Sequence, residues 1–221
     1  MESNSALRDA ARGGRLDTVR ALLDAGADPN DSDGEGMTAI WLAARAGHAD
    51  VVRLLLAAGA DPNATAGDGC PALWHAAAEG HVDVVRLLLD AGAIPDVAEV
   101  DTQSTPLFIA TIEDHVEVAR LLLEAGADTD AETEDEGGTP LLAALQESRR
   151  EIALLLVSHG ACFPEAASFP EASRLVQWLV DAGKEREARH AAEVARLRLD
   201  VQSLQDGIPH LLQAAMRHAH R

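Results

Sequence analysis

Apolar residues recur along this chain in pairs of clusters, a short one followed by a longer one, about every 33 residues. The pair is clearest at Ala39–Ala44 and Val51–Leu56, where a glycine separates the two clusters. Apolar spacing of three and four residues within the clusters predicts two amphipathic helices in each unit. A single helix pair of this size cannot bury its apolar faces alone, so the period predicts a stack of similar units with an extended surface.

Turn-forming residues punctuate the units in one register. Gly-Ala-Asp-Pro-Asn occurs at Gly26–Asn30 and Gly59–Asn63 and is partly kept in three later units. Thr38 stands where the first helix of a unit needs an N-cap, and Gly47 stands where that helix would end in a left-handed conformation. The residues that follow each Gly-Ala-Asp motif predict an exposed hairpin, which we call a finger.

Two stretches, Gly36–Asn63 and Gly69–Asp96, combine a Thr-Ala or Pro-Ala helix start, a Gly-His pair, an apolar second helix and a closing glycine. In these motifs and their period the chain resembles the ankyrin repeat family, roughly from residue 5 to residue 163. The resemblance implies an all-α solenoid of about five helix-turn-helix repeats with β-hairpin fingers. The predicted repeats span residues 5–30, 31–63, 64–96, 97–130 and 131–163.

The pattern changes after the fifth unit, so the predicted solenoid occupies residues 1–163 and a C-terminal helical extension occupies residues 164–221. The sequence of Glu171–Ala182 predicts a helix with an apolar side, and we interpret this helix as the cap of the solenoid. Residues 184–215 carry a second apolar stripe with spacings of three and four residues. This stripe packs back on the solenoid, pairs with a second copy in a homodimer, or docks into a partner.

Histidines and charge pairs repeat along the predicted stack. His48, His81 and His115 lie in successive units, where packed helix layers are about 8–10 Å apart. This separation excludes a shared zinc ion, whose ligands bind at about 2.0–2.1 Å. The resemblance implies that these histidines make hydrogen bonds between repeats. The outer helices carry acid–arginine pairs at i and i+3, which predict an exposed, solvated face.

Bulky apolar side chains replace the histidine that the ankyrin family usually places on the first helix. They are Trp41, Trp74, Phe108 and Leu142. We expect them to form a stacked ladder in or near the core, where aromatic contacts add stability beyond burial. The alternative is a partly exposed aromatic stripe that lines the concave groove.

Enzyme-like chemistry is confined to Cys70, His75 and Glu79. A cysteine nucleophile with a histidine base, or a zinc site, is conceivable for this set. Neither a Cys-x-x-Cys nor a His-Glu-x-x-His spacing supports it, so no catalytic residue, metal or cofactor is expected. The alternative function is small-molecule binding or unexpected catalysis in the groove around Trp41, Trp74 and His75.

Charge is the most informative functional clue. The net charge is −19, and residues 1–183 hold 32 acidic against 11 basic side chains, whereas residues 184–221 hold five against seven. The acids concentrate on the fingers, which contain no lysine or arginine. A one-sign field of this kind attracts a basic protein and repels nucleic acid. The alternative is that the acids only provide solubility. The absence of any apolar run near 18 residues argues against a membrane span.

The hypothesis is therefore a non-enzymatic protein-interaction module that binds a basic partner through its acidic fingers and the concave groove. Cys70 and Cys162 are almost three repeats apart, too far for a disulfide, so we expect reduced thiols and a cytoplasmic location, with the nucleus as an alternative. The predicted partner-binding residues are Asp31, Asp33, Glu35, Met37, Arg45, Asp68, Cys70, Glu79, Glu99, Asp101, Ile112, Glu113, Glu132, Glu134 and Asp135.

Overall fold

A computed structural model describes residues 2–67, 69–134, 138–162, 173–175 and 177–178. In this part of the chain the helices form five antiparallel pairs, each with an inner helix (odd number) and an outer helix (even number). The ten helices are α1 (Glu2–Arg12), α2 (Leu16–Asp24), α3 (Ala39–Arg45), α4 (Ala49–Ala57), α5 (Ala72–Ala78), α6 (Val82–Asp90), α7 (Pro106–Ile112), α8 (Val116–Glu124), α9 (Pro140–Gln146) and α10 (Arg150–Ser158).

The inner helices begin where the sequence places an N-cap. The hydroxyl of Thr38 accepts a hydrogen bond of 3.3 Å from the backbone N–H of Trp41, and Thr105 and Thr139 make the same bond in α7 and α9. Each bond satisfies one of the donors that the first helical turn leaves unpaired. In the third repeat Pro71 takes this place, and its side chain makes no capping bond.

One leucine or isoleucine per inner helix forms the centre of the core. These residues occupy equivalent positions in successive repeats, and each is at most 1% exposed: Leu7, Ile40, Leu73, Leu107 and Leu141. Alanines fill the neighbouring buried positions, so adjacent inner helices approach closely. Inner helices pack on inner helices and outer helices on outer helices along the stack. The predicted all-α solenoid is confirmed.

The fingers are short hairpins whose strands are each a single bridge long in the described residues. Antiparallel bridges join Ser32 to Thr38 and Thr65 to Pro71. Neighbouring fingers are also tied together, because the N–H of Gly67 donates to the carbonyl of Glu35 over 2.6 Å. Backbone hydrogen bonds therefore tie the first finger to the second, and the N–H of Glu134, which donates to the carbonyl of Thr102 over 3.0 Å, ties the third finger to the fourth. We call the four fingers together the tied edge.

Two short helical stretches follow α10 in the described residues. Residues 173–175 and 177–178 are helical, Leu175 is buried, and Trp178 packs against the core. The guanidinium of Arg174 donates to the carbonyl of Leu145 at the end of α9. The apolar stripe predicted at residues 184–215 lies outside the described residues.

Candidate protein-interaction surface

Histidines join successive repeats at the ends of the inner helices. The Nε2 atoms of His48, His81 and His115 each bond a carbonyl near the C-terminal end of the inner helix in the preceding repeat, at distances of 3.1, 3.2 and 3.0 Å. These carbonyls are among those that a helix C-terminus leaves without an intrahelical partner. The bonding role implied for the histidines is confirmed, and it fixes how each inner helix end meets the next.

A glycine faces each of these imidazoles. Gly47 has φ +75°, and a Cβ atom added there would lie 2.6 Å from the ring of His81. Gly80 has φ +71° and stands in the same relation to His115. Glycine is thus required at this position for two reasons. It adopts the left-handed backbone without strain, and its missing Cβ leaves the space that the ring occupies.

A row of Asn and Asp side chains ties the loops together on the outer side of each finger. Asn30 donates to the carbonyl of Gly59 over 2.9 Å and accepts from the N–H of Asp61 over 2.8 Å. Asn63 repeats both bonds in the next repeat. Asp96 keeps only the accepting bond, from the N–H of Asp128 over 2.8 Å. The row fixes the spacing of the finger bases.

The tryptophans that replace the family histidine bind forward into the next repeat. The indole N–H of Trp41 donates to the carbonyl of Cys70 over 3.0 Å, and that of Trp74 lies 3.4 Å from the hydroxyl oxygen of Ser104. Trp41 is 2% exposed, so its predicted place in the core is confirmed. The sequence interpretation missed the hydrogen bonds, although a buried indole N–H normally needs an acceptor.

The aromatic contacts differ from the predicted ladder because a histidine lies between its two tryptophans. The ring of His75 lies between the two indoles, 4.7 Å from Trp41 and 5.2 Å from Trp74 by ring centres, and both contacts are edge-to-face. Trp74 and Phe108 are half-buried, while Leu142 is buried. The tryptophans and His75 therefore make one cluster that spans the second and third repeats.

A depression lies in front of this cluster, between the fingers and the last turn of α3. Its volume is about 400 Å³, and the guanidinium carbon of Arg45 stands 5.6 Å from the ring centre of Trp41 at its wall. This distance is within the range of a cation–π contact. The depression is lined by Glu35, Met37, Trp41, Arg45, Ala66 and Gly67.

Three of the predicted contact acids are engaged within the chain. The carboxylate of Asp33 accepts from the N–H groups of Glu35 and Met37, at 3.0 and 2.9 Å, and so shapes its own finger. Asp31 pairs with Arg8, whose hydrogen bond holds the pKa of Asp31 below its ordinary value. Both carboxylates therefore already make contacts that stabilise the folded chain.

Glu99 is engaged in the same way in the third finger. Its carboxylate accepts from the hydroxyl of Thr102 at 2.7 Å and from the N–H groups of Thr102 and Asp101 at 2.8 and 2.9 Å. These bonds, led by that of the Thr102 hydroxyl, hold the pKa of Glu99 below its ordinary value. Hydrogen bonds to the charged form have this effect because they stabilise the carboxylate.

The other predicted contact residues differ in how much surface they offer. Met37 and Ile112 are half-buried, and Cys70 is only 2% exposed. Asp68 and Asp135 lie outside the described residues. Charged residues that face solvent are Glu35, Arg45, Glu79, Asp101, Glu113, Glu132 and Glu134.

The members of the enzyme-like set differ in exposure. Cys70 is buried, whereas Glu79 is the exposed C-cap of α5. Across the described residues no group of three His, Cys, Asp or Glu side chains could hold a metal ion. Nor is any helix there both long enough and apolar enough to cross a membrane.

Stacked helix pairs joined by side-chain rows, with a tied edge of fingers, define a repeat protein that presents a surface rather than a cleft. The sequence profile of ankyrin repeats, in its three-repeat form, matches residues 7–101 and 94–167. The chain therefore belongs to the ankyrin repeat family. Comparison with functionally curated proteins gave no match. Ankyrin repeats are generally non-enzymatic protein-interaction modules.

Proposed function

We propose that this protein binds a partner protein with a basic surface, through the solvent-facing acids of its fingers and the adjoining ends of the inner helices. The observation that carries the proposal is the division of the finger acids. Asp33 and Glu99 are engaged within their own fingers, but Glu35, Asp101 and Glu134 face solvent along the same tied edge.

Electrostatics gives this edge its expected role. Exposed acids of one sign accelerate encounter with a basic partner, and the acceleration fades as salt screens the charges. Rim charges of this type act on the association rate more than on the dissociation rate. The half-buried Met37 and Ile112 supply apolar surface next to the acids, as the core of an interface requires.

The experiment compares three immobilised proteins as baits for a native lysate, at low salt and at about 0.5 M salt, where the Debye length falls to a few Å. The wild-type chain is compared with Glu35→Lys/Asp101→Lys/Glu134→Lys, which reverses one exposed acid on each of three fingers. The control is Asp24→Lys/Asp90→Lys/Glu124→Lys. It makes the same change of net charge at the exposed last residues of the outer helices α2, α6 and α8.

We expect wild type and control to retain the same basic protein at low salt and to release it at high salt, and the finger variant to lose it. Association kinetics measured with that protein should then show a rate about tenfold lower for the finger variant. Equal retention by the finger variant and the control would contradict the proposal, because the edge would then contribute no more than net charge.

A further inference from the structure

The inner helices carry opposite charges at the two ends of the stack. Helices α1 and α3 end with exposed arginines, Arg12 and Arg45. Helices α5, α7 and α9 are followed by exposed glutamates at the C-cap, Glu79, Glu113 and Glu147. The arginines hold the last helical position and the glutamates the next position, where α1 and α3 are followed by Gly13 and Ala46. Consecutive inner helices pack side by side, so both positions lie at neighbouring helix ends, and we call these five helix ends the row. The row changes sign between the second and third repeats.

The helix dipole favours one half of this row and opposes the other. The C-terminal end of a helix carries partial negative charge, which a cation complements and a carboxylate worsens. Arg12 and Arg45 are therefore placed where folding favours them. Glu79, Glu113 and Glu147 are placed where folding disfavours them, and among the described residues none of the three lies within ion-pair distance of a cation. Their charges add to the field of the helix ends instead of cancelling it.

A depression lies beside the positive end of the row. The depression of about 400 Å³ beside Arg45 has Met37, Trp41 and the exposed Glu35 in its wall. Arg45 lies over the Trp41 ring, so its guanidinium is positioned by the stack while the residue stays exposed. An apolar side chain suits the depression, where Glu35 repels a carboxylate, and an acidic side chain suits the guanidinium of Arg45.

We infer that the partner segment bound along this row is itself polarised. It places acidic side chains at Arg12 and Arg45, an apolar side chain in the depression, and basic side chains over Glu79, Glu113 and Glu147. This inference rests on the proposed interaction function and adds the charge order and the orientation of the partner. The reversed orientation sets like charges against each other at both ends, which lowers affinity.

The test uses the full chain and two synthetic peptides of identical composition, each about 24 residues long and able to span about 36 Å as a helix. In the segregated peptide Asp and Leu residues occupy one half and Arg residues the other, whereas in the interleaved peptide the same residues alternate. We expect the segregated peptide to bind about tenfold more tightly at low salt. A nitroxide at its acidic end should broaden the backbone amide signals near Arg45 and leave those near Glu147 unchanged.

Two charge variants show whether the arginines set this preference. Arg12→Glu/Arg45→Glu should abolish the preference for the segregated peptide. Arg20→Glu/Arg53→Glu makes the same charge change on exposed outer-helix residues and should keep it. Glu113→Gln should weaken binding of the segregated peptide and raise Tm by about 1–3 °C, since it removes a charge that the helix dipole opposes.

The outcomes separate the orientation from the interaction itself. Equal binding of both peptides, or broadening centred on Glu147, would overturn the polarised orientation and leave the acidic edge in place. A chain that binds neither peptide at low salt would overturn both. A lower Tm for Glu113→Gln would contradict the electrostatic argument, because it would give this glutamate a role in stability.

Discussion

The joint between the third and fourth repeats and the joint between the fourth and fifth make the same contact with different side chains. In the earlier joint the ring of His115 bonds a carbonyl at the end of α5 and lies against Gly80. In the later joint the guanidinium of Arg149 donates to a carbonyl at the end of α7 over 2.9 Å and approaches the carboxylate of Asp114 to 3.4 Å. Asp114 keeps the left-handed backbone, with φ +63°.

The difference shows that the glycine and the histidine form a coupled pair. An imidazole that bonds this carbonyl occupies the space where a Cβ would stand, so the residue before it in the stack must be glycine. A guanidinium reaches the same carbonyl from a longer side chain and tolerates a Cβ, even one that bears a carboxylate. The joint that departs from the repeat pattern therefore makes the same contact between inner helices with a different pair of side chains.

The largest expected effect comes from adding a Cβ to the regular joint. Gly80→Ala combines an unfavourable left-handed backbone with displacement of His115, so we expect a loss of about 2–3 kcal/mol in the free energy of unfolding. The matched control is Gly92→Ala, where φ is +90° but nothing lies within 4 Å of the added Cβ. This control should lose only the part of the free energy of unfolding that comes from the left-handed backbone, about 1–2 kcal/mol. Urea unfolding measures both, and equal losses would show that the imidazole yields freely.

An exchange at the worn joint tests the coupling directly. Arg149→His removes the contact with Asp114 and brings a ring against its Cβ, so we expect a loss of about 1–2 kcal/mol. Adding Asp114→Gly should recover most of that loss. The double-mutant cycle should give a coupling within the range of about 0.5–3 kcal/mol seen for contacting residues. Additive effects would contradict a paired requirement.

A substitution just after α9 should change stability by a smaller amount, and in the stabilising direction. Ser148 holds φ +60° where the regular repeats have glycine. Ser148→Gly should raise the free energy of unfolding by about 0.5–1 kcal/mol, since the relief of backbone strain exceeds the added entropy of the unfolded chain. Ser148→Ala keeps the strain and serves as the control. Thermal unfolding that ranks Ala above Gly would contradict this account.

The smallest change concerns the row of Asn and Asp side chains. Asp96 lacks the amide donor by which Asn30 reaches the carbonyl of Gly59. Asp96→Asn should supply that donor to the equivalent carbonyl of Gly126 and stabilise the fold by about 0.5 kcal/mol, as one exposed hydrogen bond does. The same substitution at the exposed Asp101, which lies in a finger and outside the helices, should leave stability unchanged. A loss on Asp96→Asn would show that the carboxylate itself matters there.

The repetitive features of the fold could be read from the sequence because local chemistry sets them. Thr38 was predicted as an N-cap and accepts the predicted type of bond, and Gly47 was predicted to be left-handed and has φ +75°. The predicted exposed face of the outer helices is confirmed, because seven of the eight residues in its acid–arginine pairs are exposed, but most of the pairs do not form. Of four acid–arginine pairs only Glu117–Arg120 lies within ion-pair distance, at 3.3 Å. Exposed partners gain too little from such a contact to stay fixed in it.

The candidate surface was harder to predict, since sequence position does not show whether an acid is already engaged. Asp33 and Glu35 are two residues apart in one finger, yet the first bonds backbone N–H groups and the second faces solvent. The Asp33-Gly34 pair is a signal for such a turn, because an aspartate side chain readily bonds the backbone two residues on. Glu99 gave no comparable signal.

The sequence by itself determined the repeat, the helix ends and the histidine row, because each recurs at a fixed separation along the chain, and it determined the excess of negative charge, which follows from composition alone. The tertiary structure alone decided which groups meet across repeats. It directs the indole N–H of Trp41 to a carbonyl about 30 residues away and sets Arg45 over the same ring. It also brings the ends of five inner helices into one row, and only in that row does the charge of Arg12 and Arg45 contrast with that of the glutamates.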